Sequence, residues 1–355
     1  MTVLRLIWAL VAVALLAAPA ASQTVERAPV PDWVQWLDTG PAATPDGTGA
    51  PVRVLLFDHQ LRFDDDVTHA FSRSRSLIQS VQGLSIAGTV VGGWKPGAQT
   101  LRVHAINIIR GDQTIDVLAS QDFAILRREQ NLEAAMLDGV LTATLQPADL
   151  RVGDVLEVAF TQTNHDPVAG SHGEFLLGGQ FGGPVERYHV RASWPAARGV
   201  RARAIAPWTL PNSPRREGGD YVVEIDESPL LPLTLPTDAP ARFLHVRQLE
   251  LTDYRDWSEV SVLMSPLFER ASTLEEGSPL QAEIDRIAAA WATPAERASA
   301  ALRLVQDDIR YLALAMGEGS LIPASADATW RSRFGDCKAK TALLIALLRG
   351  LGIEA

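Results

Sequence analysis

The chain has 355 residues, 47% of them hydrophobic and 21% charged, with a formal net charge of -10. That balance fits a globular protein of roughly two to three domains and excludes a nucleic-acid binder, since phosphates call for a basic face and no Lys/Arg stripe is present. Its 22 prolines and 26 glycines are spread without a repeat period, which excludes a solenoid or a low-complexity chain.

The first residues have the form of an export signal: Arg5 supplies a positive start, residues 6–18 an apolar stretch, and Ala18-Pro19-Ala20-Ala21-Ser22 a small-residue cleavage zone. The apolar stretch falls short of the roughly 20 residues that a bilayer span needs. Residues 1–22 are therefore expected to be a cleaved signal peptide. The mature protein is expected to be exported, periplasmic or secreted, without a membrane span. Residues 23–51, rich in Pro and Gly, read as a leader or linker.

Short alternating runs follow. Leu156, Val158 and Phe160 alternate with Glu157 and Thr161; Tyr188, Val190 and Ala192 with Arg187, His189 and Arg191; Val223 and Ile225 with Val222, Glu224 and Asp226. Each predicts a strand with one buried face. Arg110-Gly111-Asp112-Gln113, between apolar stretches 101–109 and 114–118, predicts a hairpin turn. Prolines at 207, 211, 214, 229, 232, 236 and 240 confine residues 205–240 to edge strands and loops. Residues 52–249 are thus expected to form one antiparallel, β-sandwich-like module, stacked sheets being favoured over a closed barrel. His165, Asp166, His172 and Glu174 lie together in a Gly-rich stretch, but their spacing matches no zinc or calcium motif. A loop is expected there, with no metal and no cofactor.

Helical signals take over after Asp253. Asp256-Trp257-Ser258-Glu259 has the form of a capping box, Ser278-Pro279 places a cap before a proline, and Thr293-Pro294-Ala295-Glu296 does both. Residues 250–280 read as a linker with a helix. The helix opened by Pro294 carries Ala298, Ala301, Leu302, Val305 and Ile309 as its apolar stripe. Gly317, Gly319 and Pro323 then break the pattern into a loop before Trp330.

The only cysteine, Cys337, lies in Gly335-Asp336-Cys337-Lys338 at the mouth of an apolar helical run. Asp336 is expected to cap that helix, Gly335 to permit a tight approach to it, and Ala342, Leu343, Leu344, Ala346, Leu347 and Leu348 to supply its buried face. A single cysteine forms no intramolecular disulfide, so this thiol is either inert packing or a nucleophile. Helix N-terminal amides, with Lys338 and Lys340 nearby, favour the thiolate.

The stretch Arg310-Tyr311-Leu312-Ala313-Leu314, then Pro323, then 330–338 and the helix after Cys337 resemble the cysteine segment of bacterial transglutaminase-like domains, which have the papain-type cysteine proteinase fold. The β-rich region, ending near Tyr254-Arg255-Asp256-Trp257, resembles the domain of unknown function that precedes such domains in exported bacterial proteins. The resemblance implies an α+β fold: the β module, then the helical N-terminal part of a transglutaminase-like domain over 281–355. It implies thiol acyl transfer or peptidase-type chemistry on amide bonds outside the cytoplasm, with Cys337 as nucleophile, its backbone N–H as oxyanion donor, and protein or peptide substrates of the cell envelope as partners. Tyr311 and Trp330 are expected either to line the cleft or to pack at a domain seam.

The family's histidine and acid follow its cysteine, whereas His59, His69, His104, His165, His172, His189 and His245 all precede Cys337. The sequence therefore reads as truncated after the cysteine helix and inactive by itself, with Leu343, Leu344, Leu347 and Leu348 short of partners. The alternative is a non-enzymatic envelope binding or assembly protein that works through the β-rich module.

Overall fold

The computed structural model of the protein describes residues 24–40, 43–45, 47, 49–127, 133, 135–170, 172–179, 181–210, 213–233, 238, 240, 247–314 and 321–355. The expected signal, His245, Gly317 and Gly319 lie outside them. No helix among the described residues is long and apolar enough to cross a membrane.

The first two thirds are strands: β1 (Glu26–Arg27), β2 (Val52–Phe63), β3 (Thr68–Ile78), a short helix α1 (Val81–Ala87), β4 (Val90–Trp94), β5 (Gln99–Arg110), β6 (Gln113–Asp116), β7 (Ala124–Arg127), β8 (Met136–Leu137), β9 (Leu141–Leu145), β10 (Val155–Asn164), β11 (Glu174–Gly178), β12 (Tyr188–Pro195), β13 (Arg201–Ile205), β14 (Arg215–Glu217), β15 (Asp220–Glu227) and β16 (Gln248–Thr252). The rest is mainly helical: α2 (Trp257–Ser272), α3 (Leu280–Ala290), α4 (Pro294–Asp308), β17 (Arg310–Tyr311), β18 (Ala313–Leu314), α5 (Ala326–Ser332), β19 (Phe334–Gly335) and α6 (Cys337–Gly350). The fold is mixed α+β, with sheets predominating and six helices among the described residues.

A nine-stranded sheet runs in the order β1-β5-β10-β3-β2-β12-β15-β14, with β6 added on β5. It is not purely antiparallel as expected: β1 pairs parallel with β5, and β12 parallel with β2. A parallel pair needs a long crossover connection, and the chain between β2 and β12 supplies it. Arg110 pairs with Gln113 across Gly111, whose φ is 57°, so the hairpin forms where the sequence places it. Proline-free β15 takes an interior position between β12 and edge strand β14, flanked by the proline-rich stretches.

The expectation of a single buried face fails at the sheet's centre. Residues 155–159 of β10 and 188–194 of β12 are buried on both faces. On one face the sheet shares a core with the small sheet β11-β16-β13, in which Leu61, Tyr188, Val190 and Trp194 meet Leu249 and Leu251. The other face carries Asp58, Gln60, Arg73, Glu157 and His189, all buried. Residues 33–39, read from sequence as part of a leader, lie across it. Gln35 N–H donates to Gln60 Oε1 at 2.8 Å, Arg73 donates to the Leu37 carbonyl at 2.8 Å, and the Arg73 guanidinium stands 3.6 Å from the Trp36 ring centre. The five named groups are hydrogen-bonded, which offsets the cost of burying them, while on the same face the buried Arg75 Nε and Arg191 Nε have no hydrogen-bond partner among the described residues.

The helices form their own core. Leu343 and Leu347, fully buried, pack with Leu280, Ile284, Ile287, Ala301, Val305 and Trp330. Their expected lack of partners is therefore corrected, because α3, α4 and α5 cover the cysteine helix without help from a further sheet. Burying each leucine contributes about 1.5–3 kcal/mol. Thr293 and Glu296 complete the capping box of α4, while Leu302, expected in its stripe, is 42% exposed. Strands β18 and β8 pair in parallel, tying the helical region to the β-rich one.

Candidate functional site

The site is built where α4 gives way to strand. After the Ile309 cap, β17 pairs in parallel with β19, placing Tyr311 opposite Gly335 and bonding Leu312 N–H to the Gly335 carbonyl at 3.3 Å. Helix α5 stops at Arg333, a left-handed residue with φ 59° whose guanidinium lies 3.4 Å from the Trp330 ring centre. That cation–π contact holds the turn that feeds β19. At Gly335 a Cβ would come within 2.9 Å of Thr329 Cγ2 and 3.0 Å of Ala339 Cβ, so the close approach needs glycine.

Asp336 then caps α6, its Oδ1 accepting the Ala339 N–H at 2.9 Å. Cys337 is the first helical residue and its side chain is exposed. In the first turn the Cys337 and Lys338 N–H groups have no hydrogen-bond acceptor among the described residues. The lysines are not idle cations: Lys338 pairs with Asp336, and Lys340 donates to the Ile309 carbonyl at 2.7 Å. Asp336 thus cancels much of the positive field that Lys338 would otherwise direct at the thiol.

An apolar cleft of about 500 Å³ opens beside this turn, walled by Leu312, Ile322, Pro323, Thr329, Phe334 and Asp336. Of these, Leu312, Pro323, Phe334 and Asp336 lie in the stretches that the sequence marked, whereas Ile322 and Thr329 carried no signal. All the walls lie between residues 312 and 339, but no local pattern shows that they close on one cleft. Tyr311 is 49% exposed and lies on the strand beside Gly335, whereas Trp330 is 6% exposed in the helical core and does not wall the cleft.

No described histidine reaches Cys337; each has its partners within the β-rich region. His189 Nδ1 lies 2.7 Å from Asp58 and its Nε2 2.9 Å from Glu224. His104 bonds the Ala28 carbonyl and Thr161, His69 bonds Thr163, His165 meets the Asp66 carbonyl, and His59 packs on Phe57. His172 lies 3.4 Å from Asp253 and stacks on Tyr254. The four residues weighed for a metal go separate ways: Asp166 Oδ1 accepts the Val168 and Ala169 N–H groups, and Glu174 is exposed on β11. Chemically, then, the described residues offer an exposed thiol, an adjacent free N–H and an apolar cleft, without a proton acceptor at the sulfur.

Residues 66–234 match the family described as a Domain of Unknown Function with solved structure (DUF3857). The fold is similar to that of a crystal structure from Parabacteroides distasonis, a "putative protease", with a TM-score of 0.67 and 13% identity over 86% of this chain. The match takes in 60% of that chain's length, so this chain spans well under the whole of its structural relative. A comparison with curated proteins finds no match.

Proposed function

We propose that this chain carries the nucleophile of an exported, transglutaminase-like thiol acyl-transfer or peptidase-type protein that acts on protein or peptide amides outside the cytoplasm. Cys337 sulfur attacks the amide carbonyl, its proton passes to a base, the amine leaves, and the thioester is resolved by water or a second amine. The Cys337 N–H is the oxyanion donor, at the dipole end of α6. One observation carries this reading: the thiol is exposed at the first position of α6 next to an apolar cleft, where inert packing would have buried it. The family described for residues 66–234 and the fold shared with the Parabacteroides protein support it.

No described residue supplies that base. Iodoacetamide alkylation tests the nucleophile: labelling of Cys337 in the folded protein at least as fast as in urea is expected, and protection by folding would overturn the reading. Turnover of peptide amides by the native exported protein is expected to vanish in Cys337→Ala. The absence of a base at Cys337 among the described residues favours a second reading, a non-enzymatic envelope binding or assembly protein. A native protein whose Cys337 labels readily but which turns over no amide would favour that reading.

A further inference from the structure

Trp257, the first residue of α2, is 85% exposed. Among the described residues no hydrogen bond or ring contact involves its indole, and leaving so large an apolar surface in water forgoes the burial that would stabilise the chain. It stands on a ridge between two clefts of about 540 and 740 Å³, both of which also take in Glu174, Tyr254 and Val260. The two clefts share these walls and are together termed the trough, with the aromatic pair common to both. Tyr254 is fixed by stacking on His172 at 4.5 Å, so its face is presented in advance of any ligand.

Planar amides supply the floor of the first cleft. Gln99 Nε2 donates to Asn164 Oδ1 at 2.6 Å, and Gln162 Nε2 donates to the Gly93 carbonyl at 2.9 Å and to Gln99 Oε1 at 3.2 Å. These bonds orient the three amides and leave Asn164 Nδ2 and Gln162 Oε1 free of partners among the described residues. Charge in the trough is mixed: Asp66, Asp166 and Glu174 border the first cleft, and in the second Arg201, Arg203 and Arg255 are matched by Glu174, Glu250 and Asp256. A polyanion would meet the carboxylates of the first cleft, and the balanced second cleft offers neither sign a net attraction.

We infer that this trough binds a linear, uncharged saccharide, with sugar faces laid on Trp257 and Tyr254 and hydroxyls bonded by the amides and carboxylates. An apolar face ringed by hydroxyls matches an aromatic flanked by planar hydrogen-bonding groups, and a cleft on each side of Trp257 leaves room for more than one sugar. The site makes no use of Cys337.

Titration with chitotetraose, cellotetraose and laminaritetraose, followed by tryptophan fluorescence and calorimetry, tests the inference, with hexalysine and oligogalacturonate as charged controls. At least one neutral tetrasaccharide is expected to bind below about 10 mM, with little dependence on salt. Trp257→Ala is expected to weaken binding at least about tenfold, with melting temperature unchanged. Trp257→Phe is expected to retain part of the affinity, and Trp291→Ala and Cys337→Ala all of it. Absence of binding by all three sugars, salt-sensitive binding of a charged control alone, or sugar binding that survives Trp257→Ala would each overturn the inference.

Discussion

His189 Nδ1 lies 2.7 Å from Asp58 Oδ1, and with Glu224 on its other nitrogen one buried imidazole joins β2, β12 and β15. Burial opposes its charge, but the hydrogen bonds and charges of Asp58 and Glu224 outweigh burial and raise the His189 pKa above the usual value. A raised folded pKa makes this contribution complete below the unfolded value of about 6.5 and lets it fade as pH rises through the folded value. His189→Gln is expected to cost on the order of 3 kcal/mol near pH 6, because Asp58 loses its imidazole partner. The loss is expected to shrink in alkali. Urea unfolding of both proteins at acid and alkaline pH measures it, and an equal loss at both would show that the bridge carries no charge.

His59, next to Asp58 in β2, is shifted the other way. Burial pulls its pKa down to about 4, with Asp58 opposing. A lowered folded pKa means that unfolding takes up a proton between that value and about 6.5, so stability is present above this window and lost as pH falls through it. His69 and His104, also lowered chiefly by burial, add to the acid slope. His59→Gln is expected to reduce the loss between neutral pH and pH 4 by about 2 kcal/mol, allowing for the partial exposure of its ring. Denaturation midpoints across the window check this, and parallel curves for the two proteins would rule it out.

Arg73 joins the strap over the polar face to the sheet beneath. It bonds Glu157 at 2.6 Å and the Leu37 carbonyl at 2.8 Å, while Asn107 donates to the second Glu157 oxygen at 3.0 Å. Arg73→Ala is expected to cost about 3 kcal/mol by leaving a buried carboxylate short of its main partner. The double change Arg73→Met with Glu157→Leu is expected to recover part of that loss. Limited proteolysis between residues 24 and 40 reports whether the strap lifts, and cleavage is expected to rise more in Arg73→Ala than in the double variant.

Much of this was legible in local pattern. Strand runs, the Gly111 hairpin, the Thr293 capping box and the Asp336 cap each depend on neighbours within a few residues, and the structure has them where the sequence puts them. The polar face was not legible. Its buried Arg73, Glu157 and His189 look like solvent residues until the segment around Trp36 covers them, and that covering is a long-range event with no local signature. The same holds for the partners of Leu343 and Leu347. At the candidate site, Cys337 and its cap could be read from spacing, whereas the cleft walls are short stretches between residues 312 and 339 that only the tertiary fold closes on one another.

Gly335 offers the sharpest test of how the site is held. Its φ is unremarkable, so the constraint is space rather than backbone strain: a Cβ would press on Thr329 Cγ2 at 2.9 Å and on Ala339 Cβ at 3.0 Å. Both neighbours are buried, and Ala339 is the residue whose N–H Asp336 caps, so neither gives way freely. Gly335→Ala is expected to destabilise the helical region by about 1–3 kcal/mol, the usual cost of overpacking. The strain falls between β19 and α6, so Cys337 alkylation in the folded protein is expected to change along with stability. Thr329→Ser in the same chain removes the offending methyl and is expected to restore part of both. If Thr329→Ser leaves the Gly335→Ala defect untouched in thermal melts and in labelling rate, the contact with Thr329 is not what requires glycine beside the thiol.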